Sequence, residues 1–202
     1  NVTIKSNMNY PLLTMGSNYG DLNNDGYLDI YAGTGDPDYR SVQPNRMFLN
    51  IEGKYFQDVT FHGRFGNIQK GHGVSFGDID SDGDQDIHAV MGGAYEGNVY
   101  QNSLYENPGN WNNPWIGIKL IGTQTNRAAI GSKIIIETIE EKVIHRTISS
   151  GGSFGGNPFR EFIGLSNTKG ISKITIIWGS GNQQSLNGLS LNRWHTIEEI
   201  KS

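Results

Sequence analysis

Two short loops carry oxygen donors of the types and spacing that hold a hard cation. The first lies in the stretch GDLNNDGYLDIYAG, residues 20–33. Asp21, Asn23 and Asp25 place side-chain oxygens on alternate residues. Gly26 follows at the sixth position, where the chain must turn sharply. The Tyr27 backbone carbonyl comes next, and Asp29 completes the set. The second loop, GDIDSDGDQD at residues 77–86, offers Asp78, Asp80, Asp82, the Asp84 carbonyl and Asp86 in the same order. Carboxylates this close repel one another unless something neutralises them. Ca²⁺ takes ~6–8 oxygens in flexible geometry, whereas Mg²⁺ demands a tight octahedron and keeps its water. No Cys or His sits among the donors, which argues against soft metals. The expectation is one structural Ca²⁺ in each loop.

An EF-hand does not fit. That loop needs a bidentate Glu at its twelfth position and helices on both sides. Here the twelfth positions are Ala32 and Ala89, and each loop runs into a β-like segment, IYAG or IHAV.

The elements that must position these loops repeat with them. The 57-residue separation of Asp21 and Asp78 also pairs Gly16 with Gly73, Tyr19 with Phe76, Gly26 with Gly83 and Ile30 with Ile87. It extends to Asn45, Phe48 and Asn50 against Asn102, Tyr105 and Asn107. A repeat of this length points to a propeller, a solenoid or an array. Strand-length apolar segments separated by turns cover residues 15–19, 28–32, 46–50 and 55–59, then 73–76, 86–91 and 99–105. Four strands per repeat is the pattern of a propeller blade, and about four to eight blades close a ring. With roughly two units present, either the chain is a piece of a longer propeller or its sheets are open and covered otherwise.

Bulk properties narrow the class. The chain has 202 residues, a formal net charge of -4, 28 Gly and no Cys. It can bury a real core, but disulfides cannot staple it. Nothing reads as a nucleic-acid patch, and no apolar run is long enough to span a membrane. The start at Asn1 without Met or signal peptide suggests a mature or excised piece.

The stretches 19–30 and 76–87 resemble the FG-GAP repeat, also called the VCBS repeat, of integrin α-subunit propellers and many bacterial surface proteins. The resemblance implies that each loop joins neighbouring strands of a blade and holds Ca²⁺. Beyond the turn-rich PGNWNNP, residues 108–114, the acidic loops stop. New β-like runs follow at 115–121, 133–138, 142–149, 160–165, 173–178 and 193–200. They suggest a compact antiparallel sandwich or barrel. The segments NRAAIGSK (126–133), SSGGSF (149–154), FIGL (162–165) and IWGSG (177–181) resemble, in order, the ASPIC/UnbV domain. That domain typically closes proteins built from FG-GAP-type repeats, including cartilage acidic protein. Four positions depart from its usual pattern: Gly155-Gly156 replaces Ser-Gln, Glu161 replaces His, and Gly179 replaces Pro.

The expected fold is therefore all-β. Residues 1–110 form two propeller-type blades, and residues 111–202 form the second β domain. Two G-x-S-x-G matches, at 73–77 and 151–155, lack the strand-to-helix context of a nucleophile elbow. The five His residues show no metal-ligand spacing. His72 with Arg46 could meet an anionic sugar, although hydrogen bonding between blades is the plainer role. Tyr95, Tyr100, Tyr105, Trp111 and Trp115 read as a domain interface or a sugar-stacking surface. The loop at 151–158 could meet a partner or merely connect a hairpin. The expected function is a calcium-stabilised, exported binding or adhesion module for a protein or glycan, and not an enzyme. The alternative is a fragment of a calcium-dependent lyase or hydrolase acting on carbohydrate. Oligomeric state and ligand identity stay open.

Overall fold

A computed structural model describes residues 1–35, 38, 40, 42–93, 96–97, 99–109, 112–149 and 151–201. Among the residues singled out above, Tyr95, Trp111 and Ser150 lie outside that set, as does Asn110 at the expected boundary. The described residues contain fourteen strands and no helix. They divide into two compact units. The first comprises Asn1–Leu22, Tyr27–Pro108 and Gly151–Asn157. The second comprises Asn23–Gly26, Gly109–Ser150 and Pro158–Ser202.

The first unit holds two antiparallel meanders. One is β1 (Thr14–Gly20), β2 (Asp29–Thr34), β3 (Arg46–Ile51) and β4 (Tyr55–Asp58), paired in chain order. The other is β5 (Gly71–Gly77), β6 (Asp86–Met91) and β7 (Ser103–Tyr105). β5 and β6 begin and end 57 residues after β1 and β2. Both inner ladders slip register at matching places, Thr14/Gly16 and Gly71/Val74. The second sheet has three strands, because residues 112–115 would repeat β4 and Trp115 already opens the next strand. Alternation buries one face of each sheet. Ile87, Ala89 and Met91 of β6 join Val74, Phe76, Tyr31 and Met47 in one core. Tyr105 packs beside Tyr31 and Phe65, with ring centroids 5.9 and 5.2 Å apart.

The second unit contains β8 (Trp115–Ile121), β9 (Lys133–Thr138), β10 (Val143–Thr147), β11 (Glu161–Gly164), β12 (Ile171–Ile177), β13 (Gln183–Leu186) and β14 (Trp194–Glu198). They form two open sheets, β10-β9-β12-β13 and β11-β8-β14. Isoleucines at alternating positions of β8, β9 and β12 build a single core between them, with Ile163 and Ile197. Two open sheets on one core make a sandwich-like arrangement and not a closed barrel. One pair departs from the antiparallel expectation: β14 lies parallel to β8. The rest of the domain separates the two strands, and that is crossover enough for parallel pairing. β13 lies outside the strand-like runs expected from the sequence. Its QQSL side chains are exposed or half-buried and show no apolar alternation.

Candidate metal centre

The second acidic loop lies wholly in the first unit, between β5 and β6. Asp78, Asp80 and Asp82 each bring a carboxylate oxygen within 4.8 Å of the others. Asp80 and Asp82 are exposed, and Asp78 is half-buried. Two residues with positive φ fold the loop, Ser81 at 66° and Gly83 at 100°. The Asp82 N–H donates to Asp80 Oδ1 at 3.2 Å, and the Asp84 N–H to Asp82 Oδ1 at 3.2 Å. These short bonds coil the backbone so that alternate carboxylates face one centre.

Two buried oxygens there lack a hydrogen-bond partner among the described residues: Asp78 Oδ1 and Asp84 Oδ1. Such an oxygen is costly unless something compensates it. Burial raises the Asp78 carboxyl above its ordinary range, partly offset by the backbone N–H groups of Ser81 and Gly83. Burial, and then the charges of Asp82, Asp86, Asp80 and Asp78, push the Asp84 carboxyl up to about 7. From the sequence, only the carbonyl of Asp84 is expected as a donor. Its side chain adds a further acid to the group, with 4 % of its surface exposed. A divalent cation would supply what this loop lacks, a positive charge facing unpartnered oxygens.

The ninth-position acids also brace their loops. Asp86 Oδ2 accepts from the Ile79 N–H at 2.9 Å, and Oδ1 accepts from the Asn107 N–H at 2.9 Å. Asp29 repeats this with Leu22 and Asn50, both at 2.8 Å. Each carboxylate thus pins its loop to the chain at the end of the third strand. Asn50 and Asn107 return the tie, donating to the carbonyls of Leu28 at 3.1 Å and Gln85 at 3.3 Å. An oxygen that accepts one N–H keeps a lone pair for a cation.

The first loop is divided. Asp21, Tyr27 and Asp29 belong to the first unit, where Asp21 is fully buried and its N–H donates to Gln85 Oε1 at 2.7 Å. The tip, Asn23–Gly26, belongs to the second unit. There Asn23 Nδ2 meets Asp25 Oδ2 at 3.1 Å, and the Asp25 N–H meets Asn23 Oδ1 at 3.2 Å. Asn24 and Gly26 have φ of 56° and 86°, the phases of Ser81 and Gly83. Four successive carbonyls of this tip accept hydrogen bonds within the second unit. Asn113 Nδ2 reaches the carbonyl of Asn23 at 3.0 Å, and the Ser166 N–H reaches that of Asn24 at 2.8 Å. Lys142 Nζ reaches Asp25 at 2.6 Å, and Arg146 Nη2 reaches Gly26 at 3.1 Å. Nothing in the spacing of residues announces these donors.

Other candidates resolve differently. Arg46 is committed to Asp58 at 3.0 Å and lies 5.9 Å from the Phe61 ring. The aromatic group splits: Tyr105 is in the first unit's core, whereas Trp115 stacks on Phe162 at 4.7 Å in the second. The two serines of the G-x-S-x-G matches both make contacts that join strand and loop. Ser75 Oγ donates to the Gly156 carbonyl at 3.0 Å, and Ser153 bridges to Ser17. The segment around them is neither free loop nor simple hairpin. Asn157 Oδ1 accepts from the Phe76 N–H at 2.8 Å and Asn18 Nδ2 at 2.9 Å, tying β1 to β5. A Cβ on Gly155 would lie 2.1 Å from the Val74 carbonyl oxygen, so the usual family Ser does not fit this backbone.

Residues 21–89 match the family described as FG-GAP-like repeat. Residues 122–202 match the family described as ASPIC and UnbV. The order of the two agrees with the resemblances read from the sequence. No curated protein matches the chain. No helix among the described residues is long and apolar enough to cross a membrane.

Proposed function

We propose that the chain is a calcium-stabilised binding or adhesion module that works outside the cell and recognises a protein or glycan. The carrying observation is the convergence of Asp78, Asp80 and Asp82 on one centre beside a buried, unpartnered carboxylate oxygen. Asp78, Asp80 and Asp82 would hold the ion through their side chains, and Asp86 would steady the loop. At the same positions of the repeat the first loop carries Asp21, Asn23 and Asp25, with Asp29 in the place of Asp86. The bound ion supplies charge neutralisation, so its binding energy appears as folding energy. Extracellular calcium modules bind at about 10⁻⁴–10⁻³ M, which suits export. The matched families support a propeller-like recognition scaffold. The reading is of a binder and not an enzyme.

Calorimetric melting with added calcium and with chelator tests the ion. Calcium should raise the melting temperature and chelation should lower it. Indifference to both would reject the structural ion. A glycan array beside an oligosaccharide cleavage assay tests the role, and turnover of a uronate polymer would replace binding with catalysis.

A further inference from the structure

The two sheets of the first unit repeat strand for strand until the fourth. In the first, β4 covers the outer edge of β3. The Val59 N–H donates to the Met47 carbonyl at 2.9 Å, and Thr60 Oγ1 accepts from the Met47 N–H at 3.1 Å. Leu104 occupies the place of Met47 in β7, which pairs only with β6 among the described residues. Leu104 is 56 % exposed, although Met47 is fully buried. Beside the edge lies a cleft of about 400 Å³ lined by Asn67, Val99, Tyr100, Gln101, Asn102 and Ser103. In the first copy the chain after β4 fills the matching place: the Asn67 and Gln69 carbonyls both accept from Asn45 Nδ2, at 2.9 and 3.0 Å.

From this we propose that the outer edge of β7, with its cleft, takes up one extended strand of a separate partner polypeptide, added antiparallel. Main-chain bonds from an exposed edge give such additions their affinity, and side chains give selectivity. The first copy specifies the chemistry. Its Gln57 faces Leu49, whose counterpart is Glu106, so a Lys or Arg there gains an opposite-charge cross-strand pair. Three residues later, Ser or Thr takes the part of Thr60 and accepts from the Leu104 N–H. A second copy is a poorer occupant. Its β4 is already paired, and its own β7 offers three residues. So short an edge also resists open-ended polymerisation.

The probe is a synthetic peptide of residues 54–61, KYFQDVTF, carrying Gln57→Lys, added to the full chain in excess calcium. Amide exchange at Leu104 should slow at least ~10-fold on saturation, with β1–β4 unchanged. Thr60→Val in the peptide should weaken binding about tenfold. Glu106→Lys in the protein should reverse the preference, favouring a Glu over a Lys at the peptide's fourth position. Absence of binding overturns the proposal, as does binding that leaves Leu104 unprotected or a preference indifferent to Glu106→Lys. Protection of Leu104 without peptide, together with a dimeric mass, overturns it in favour of a second copy.

Discussion

The tips of the two acidic loops differ in what meets them. At Asn23–Gly26, four consecutive carbonyls accept protein donors, two of them the cationic Lys142 and Arg146. At Asp80 and Asp82, the corresponding residues are exposed and their carboxylates face one another. The bases of the loops are alike, each pinned by a buried Asp with two backbone N–H bonds. One motif thus reaches its shape by two routes. Protein hydrogen bonds restrain the first tip, whereas at the second tip the proposed ion would offset the charge. The second loop should therefore show the stronger calcium dependence.

The shared base is the place for the largest effect. Asp29→Ala and Asp86→Ala each remove two charge-assisted bonds and leave two donors unsatisfied, at a cost of about 3–5 kcal/mol. Urea denaturation should find the two losses within about 1 kcal/mol of each other. A cheap substitution at either site would break the equivalence.

The tips should then separate. At a hundredfold excess of calcium over its dissociation constant, an occupied site adds about 2.7 kcal/mol. Asp80→Asn combined with Asp82→Asn should abolish that gain at the second loop, read as a lost calcium-dependent rise in melting temperature. Lys142→Met should cost about 1.5 kcal/mol in calcium-free buffer through its bond to the Asp25 carbonyl. It should leave the calcium response of the second loop intact. If Lys142→Met silences that response, the two tips are not independent.

A separate set of effects is in pH dependence, in the second unit. Burial opposes ionisation of Glu199, but bonds from Ser180 Oγ and the N–H groups of Thr125, Thr123 and Gln124 outweigh it and hold the carboxyl down to about 2, from 4.5. Its stabilisation is present above pH 4.5 and is lost as pH falls towards 2. The deficit of Glu199→Gln should shrink over that window. Burial pushes Glu161 up to about 7, against the pull of Arg146. Its contribution therefore declines as pH rises from 4.5 through 7, and Glu161→Gln should gain on the parent across that range. Both are read from melting temperature against pH.

Much of the first unit was legible because its information is periodic. The 57-residue offset carries over to the bounds of β5 and β6, the register slips and the αL positions of the loops. The pins from Asp29 and Asp86 had a readable signal, since Asn50 and Asn107 repeat at the same offset. The Lys142 and Arg146 bonds had none. They join residues 117 and 120 positions apart, and no local spacing encodes such a meeting. The segment Gly151–Asn157 was equally silent: its glycines suggested a free loop, yet close backbone approach explains Gly155. β13 escaped for a third reason, because a half-exposed polar strand has no apolar alternation to betray it.

Isothermal calcium titration of the chelator-stripped chain, beside Asp21→Asn and Asp78→Asn, is the most direct trial of the ion-loop account. The parent should bind two equivalents and each variant one. A parent that takes up no calcium at millimolar concentration, or variants that still bind two equivalents, would contradict it.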